Sequence, residues 1–138
     1  MNTNGKTSET RDRKAILSML WIFAVFNYLY GDVAMMIFHP ATYQKIASRM
    51  SDGAVLGAAA LMEIPMAMVF LSWILKYRAN RWANIIAGAE STAFVVFTLL
   101  GGRPPVLYVF LSAIEIACTV FIVWYAWTWR DPGLSLRN

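Results

Sequence analysis

Between Leu56 and Leu75 the chain reads LGAAALMEIPMAMVFLSWIL, an apolar run interrupted by one ionisable group. At about 1.5 Å rise per residue, a helix of this length matches the ~30 Å hydrocarbon core of a bilayer. The interruption is Glu63, near the middle of the run and two residues before Pro65. A carboxylate at that depth costs roughly 2.5–3.5 kcal/mol on insertion scales, so it marks a functional site by default.

The rest of the chain repeats the pattern. Hydrophobic residues make up 59% of it, against about 45–50% in soluble proteins, and the mean hydropathy is +0.51. The excess lies in blocks that predict membrane-spanning helices over residues 15–38, 54–75, 82–100 and 106–129. With 138 residues there is room for one domain. The expected fold is therefore all-α, a four-helix transmembrane bundle over residues 15–130. Residues 1–14 are expected to form a disordered cytoplasmic tail and 131–138 a second tail.

Charge position orients the bundle. Lys6, Arg11, Arg13, Lys14, Lys76, Arg78, Arg81, Arg130 and Arg137 fall on one side of four crossings, and only Lys45, Arg49 and Arg103 on the other. This is the positive-inside bias, and it predicts an inner-membrane protein with both termini cytoplasmic. The net charge of +4 accordingly reflects topology, and no nucleic-acid partner is expected. Cys118 is the only cysteine, so no intramolecular disulfide can form. The long polar arm and the absence of an A-x-A site do not suit a cleavable signal.

Local features refine the picture. His39-Pro40 ends the first span, because the residue before proline disfavours the helical region. In the loop 40–53, Tyr43, Ile46, Ala47 and Met50 recur at helical spacing, which predicts a short amphipathic helix in the outer interface. Gly57 and Ala58 to Ala60 are small enough to let a neighbouring helix approach closely. Pro65 removes a backbone donor beside Glu63 and predicts a kink. Residues 76–81 read as a tight inner loop. In the third span, Ala83, Ala87, Glu90, Phe94 and Phe97 share a face. In the fourth, Ser112, Glu115 and Thr119 form a polar stripe, and Trp124, Trp127 and Trp129 an inner aromatic belt. Met62-Glu63-Ile64 and Ile114-Glu115-Ile116 look alike, as a 2+2 repeat would require.

Each span carries one acid: Asp32, Glu63, Glu90 and Glu115. Counting helical rise from the outer ends puts them ~10–16 Å deep, in one layer. No lysine or arginine lies at that depth. Adjacent carboxylates in a low dielectric cannot all ionise and are expected to share protons. Tyr28, Pro65, Ser112 and Thr119 are the supporting residues, with Pro65 as the flexible point. Asn27 lies about 140° around its helix from Asp32 and is assigned to a helix contact. No metal or cofactor is expected. A di-metal carboxylate centre wants Glu-x-x-His pairs, but Glu115 has Cys118 at that spacing and His39 is the only histidine. The methionines, Met35, Met36, Met62, Met66 and Met68, are ordinary core filler.

Three stretches carry a resemblance: Leu20-Trp21-Ile22-Phe23 with Asn27-Tyr28 and Tyr30-Gly31-Asp32; Leu61 to Met68 running on to Lys76 to Asn84; and Ile114 to Cys118 with Trp124-Tyr125-Ala126-Trp127. Together they resemble a family of small four-helix bacterial membrane proteins catalogued as a domain of unknown function. In layout the chain is also similar to DoxX-like membrane proteins. The resemblance implies fold and membrane location and leaves the activity open.

The residues themselves support three functional expectations. The first is binding or proton-coupled transport of a cationic or hydrophobic small molecule, with Glu63 and Glu115 exchanging a proton for the ligand. Asp32 then faces the outer vestibule, Glu90 relays inward, and a homodimer supplies a wide enough pathway. The second is an enzyme acting on a lipid or isoprenoid through a carboxylic acid proton donor. In the third, an accessory subunit, the acids only cross-link the bundle.

Overall fold

The computed structural model describes residues 3–129, with side chains described from residue 8. The polypeptide forms five helices: α1 (Thr3–Phe38), α2 (Pro40–Ala47), α3 (Asp52–Ile74), α4 (Tyr77–Leu100) and α5 (Val106–Trp127). Four of them, all but α2, are long and apolar enough to cross a membrane. Among the described residues there is no strand. The four-helix transmembrane bundle with a short helix in the first loop is therefore the fold.

Local chemistry sets most helix ends. Pro40 starts α2, where its missing N–H costs nothing. Ser51 caps α3, its hydroxyl accepting from Ala54 N at 3.3 Å. The Gly101-Gly102-Arg103-Pro104-Pro105 turn separates α4 from α5. Two helices start earlier than the sequence suggested. Helix α1 is continuous from Thr3, so the stretch expected as a disordered tail over residues 1–14 is helical from that point. It contains no proline and its one glycine, Gly5, is tolerated. Helix α4 begins at Tyr77, which leaves Leu75 and Lys76 as the whole connection and corrects the loop reading of residues 76–81. The tail 131–138 lies outside the described residues.

The helices close into a ring in which α1 packs on α3 and α5, and α4 packs on the same two. At the end carrying both chain termini the seal is tight. Tyr77 donates to Trp129 O at 2.7 Å, and the two rings meet edge to face. Arg81 donates to Trp127 O at 3.1 Å and lies over the Trp127 ring, while Lys14 donates to Trp73 O at 3.0 Å. Trp124 and Trp127 point outward as belt residues do, but Trp129 is buried.

On α4 the face turned inward is not the apolar one. Helix α4 buries Asn80, Asn84, Ala87, Gly88, Ser91 and Val95, whereas Phe97, placed by its spacing on one face with Ala87 and Glu90, is 74% exposed. Lipid accepts phenylalanine as readily as a protein core does, so the polar and small residues decide which face goes in. Close helix approach occurs at Gly88, where a Cβ would lie 2.7 Å from Val123 Cγ2 and 3.2 Å from Thr119 O. Gly57 of α3 does not serve that purpose, with nothing within 4 Å of its would-be Cβ.

Candidate functional site

Two polar regions occupy the bundle interior, and they differ in kind. The first lies in the half nearer the termini and is saturated with hydrogen bonds. Trp21 Nε1 donates to Asn84 Oδ1 at 2.7 Å across the diagonal between α1 and α4. Ser72 Oγ donates to the same oxygen at 3.3 Å. Asn84 Nδ2 donates to Asn80 Oδ1 at 2.6 Å, and Asn80 Nδ2 to Ser72 O at 2.6 Å. Trp21, Ser72, Asn80 and Asn84 are all at 0% exposure. A hydrogen-bonded network of this sort between buried side chains holds helices together.

The second region, toward α2, is hollow. A cavity of about 500 Å³ lies between the end of α1, helix α2 and the α4–α5 turn. Its walls include Met35, Ile46, Pro104 and Pro105, and its charged residues are Asp32, Lys45, Arg49 and Arg103. A smaller cavity of about 40 Å³ lies beneath, lined by Tyr28, Gly31, Asp32, Met62, Phe94, Val95, Thr98, Tyr108, Leu111, Ser112 and Glu115. Asp32, Thr98 and Tyr108 border both and form the neck between them. The upper cavity is in the size range of small-molecule sites, ~300–1,000 Å³. The lower one is water-sized.

The carboxylates distribute unevenly over this space. Asp32 faces both cavities. Glu115 is buried at 7% exposure on the wall of the lower one. Its Oε1 accepts from Asn27 Nδ2 at 3.1 Å, and the same nitrogen donates to Leu111 O at 3.3 Å. Asn27 thus ties α1 to α5, as a helix contact, and in doing so positions a chamber acid. Glu90 borders neither cavity; its Oε2, Ser91 Oγ and Tyr28 Oη are buried without a well-formed hydrogen bond, and Ser91 lies close enough to interact with both Glu90 and Tyr28. Tyr28 is within electrostatic range of both Glu90 and Glu115. Glu63 points the other way, on the exposed face of α3, and Met62 lines the chamber in its place. The similar segments around Glu63 and Glu115 therefore sit in opposite environments.

Among the supporting residues, Tyr28 and Ser112 line the lower cavity. Thr119 lies one turn below Glu115, where its hydroxyl meets Thr92 Oγ1 at 2.7 Å. Pro65 is buried within a continuous α3 and borders neither cavity. Sequence reasoning passed over Tyr108, whose hydroxyl donates to Thr98 Oγ1 at 2.8 Å in the neck, and the grouping of Lys45, Arg49 and Arg103. The depth count could have flagged Tyr108, which stands three residues into α5. Among the described residues, no three His, Cys, Asp or Glu side chains gather as a metal site would require.

Comparison with protein families places residues 7–135 in a family of unknown function, DUF6326, and the chain belongs to that family. No curated protein and no solved structure gives a significant match. What can be stated of the protein is that it is a multi-pass membrane protein of this family.

Proposed function

We propose that this protein binds a small hydrophobic or amphiphilic molecule from the α2 side of the inner membrane, with both termini cytoplasmic, and couples that binding to a proton. The observation that carries the reading is the stacking of a ligand-sized cavity on a water-sized one, with Asp32 at the neck and Glu115 below. The ligand occupies the upper cavity, against Met35, Ile46 and the two prolines. Water in the lower cavity links Asp32 to Glu115, and Asn27 holds the latter in place. Glu90, with Tyr28 and Ser91, offers the next polar station.

Lys45, Arg49 and Arg103 at the entrance weigh against the cationic ligand class and favour the hydrophobic one. Transport through so narrow a bundle calls for a homodimer. Glu63, otherwise facing lipid at a cost of about 2.5–3.5 kcal/mol, is the carboxylate such a pairing would shelter.

The test is photolabelling in phosphatidylcholine nanodiscs with a diazirine-bearing long-chain alcohol, followed by mass spectrometry. Labels are expected on the peptides spanning 42–49 and 104–108, with a pH dependence that Asp32→Asn and Glu115→Gln flatten. Labels confined to lipid-facing residues such as Phe70 and Phe97 would refute the site. Unchanged pH profiles in both variants would refute the proton coupling.

A further inference from the structure

We propose that the upper cavity is an anion-receiving mouth: Lys45, Arg49 and Arg103 take the anionic oxyacid group, a phosphate or carboxylate, of the molecule that binds there. The inference rests on the binding reading above and gives its ligand a head-group chemistry.

Three observations converge on it. First, Lys45, Arg49 and Arg103 come from separate places, α2, the segment after it and the α4–α5 turn, yet all three border one cavity. They are also the complete set of cations on this side of the bundle. Basic residues placed only to satisfy topology would scatter around the rim; these line a single concavity. Second, among the described residues no carboxylate lies within ion-pairing distance of any of the three, whereas Arg13 at the opposite end is paired with Glu9. Asp52, the other acid on this side, is absent from the cavity lining. Third, the helix ends do not reverse the balance. The C-terminal end of α4 and the N-terminal end of α5 border the cavity, as do the last turn of α1 and both turns of α2; two opposed pairs of half-charges cancel, and the remaining half negative charge is smaller than one side-chain charge. The side chains then decide, three cations against the single carboxylate of Asp32.

The arrangement also orders the ligand. The cations line the upper cavity and are exposed, whereas Tyr28, Phe94, Val95 and Leu111 lie below the neck. An oxyacid group therefore stays at the mouth, where guanidinium forks can bond it in pairs, and the remainder of an amphiphile lies against Met35, Ile46, Pro104 and Pro105. Asp32 at the neck repels the anion from going deeper while ionised.

The experiment uses the full chain in phosphatidylcholine nanodiscs and measures binding of dodecyl phosphate, dodecyltrimethylammonium and inorganic phosphate by calorimetry. Dodecyl phosphate should bind at least about tenfold more tightly than the ammonium compound, as expected for charge-assisted bonds. The triple variant Lys45→Gln/Arg49→Gln/Arg103→Gln should bring the two within about twofold. Because these side chains hold no described helix contact, the variant should unfold like the wild type, which an unfolding titration verifies. Inorganic phosphate that competes with dodecyl phosphate at equal affinity identifies a free oxyanion as the ligand; failure to compete identifies an amphiphile. Both support an anion-receiving mouth. Equal or tighter binding of the ammonium compound overturns the proposal, as does a preference that survives the triple change in a folded protein. The neutral photoprobe separates the two readings. Labelling of the cavity without anion preference sinks this inference alone, and anion binding without cavity labelling sinks the hydrophobic-ligand reading alone.

Discussion

Adding one methyl group at Gly88 tests the tightest contact in the bundle. The Cβ of Gly88→Ala would lie 2.7 Å from Val123 Cγ2, 3.2 Å from Thr119 O and 3.8 Å from Ile122 Cγ2. Carbon atoms pack at about 3.5–4.0 Å, so the first contact is short by about 1 Å. Val123 is β-branched and has essentially one good rotamer in a helix; pushing it off that rotamer costs about 0.5–1.5 kcal/mol. The Thr119 oxygen is backbone and yields only if α5 moves away from α4. That movement stretches the Thr92–Thr119 hydroxyl contact of 2.7 Å one turn along, a kind of bond worth about 0.6 kcal/mol between membrane helices. Against this stands up to about 1 kcal/mol of improved helix propensity. The net expectation is a loss of about 1–2 kcal/mol, the lower part of the range for overpacking.

Unfolding in dodecylmaltoside with rising dodecyl sulfate, followed by tryptophan fluorescence, measures it. Val123→Ala removes the shortest of the three contacts, so Gly88→Ala should cost about 1 kcal/mol less in that background. A Gly88→Ala protein as stable as the wild type, or more stable, would refute the account of this seam.

Other perturbations probe other parts of the argument. Asn84→Leu strands the Trp21 and Ser72 donors and should cost about 1–3 kcal/mol in the same titration; Trp21→Phe should then cost much less in the Asn84→Leu background than alone. Glu63→Leu should leave the unfolding midpoint unchanged or higher, whereas Glu115→Leu, which removes the shorter of the two bonds of Asn27 Nδ2, should lower it; equal losses would mean that Glu63 faces the core. A reporter fused after Asn138 should be active on the cytoplasmic side, and external activity would overturn the assigned topology.

The spans were legible in the sequence because length and hydropathy alone specify a membrane helix, and the periodicity of Tyr43, Ile46, Ala47 and Met50 was enough to find α2, although the helix ends at Ala47 and leaves Met50 outside it. Helix rotation was not legible. In water, an apolar stripe must face inward; in lipid, Phe97 and Phe70 are as stable outside as in, and the choice passes to groups such as Asn80, Asn84 and Ser91. That pair of asparagines, spaced by four, was the available signal, and reading residues 76–81 as a loop hid it. The same ambiguity explains the acids. Their depth follows from counting residues, but whether they meet depends on azimuth, which brought Asp32 and Glu115 to one chamber and turned Glu63 away.

The contrast between the two halves of the interior has an electrical consequence. A membrane potential falls mainly across the part of a protein that excludes water and mobile ions. On the proposed reading that part is the half in which Trp21, Asn84, Ser72 and Asn80 are buried and bonded to one another. The half-open vestibule carries the potential of its own side down to Asp32. A charged head group that bound at Lys45, Arg49 and Arg103, as proposed, would therefore do almost no electrical work. A proton travelling from Asp32 past Glu115 to the other face would cross nearly the full drop, about 2.3 kcal/mol per 100 mV. Voltage would thus act on the proton and leave the occupancy of the mouth nearly untouched.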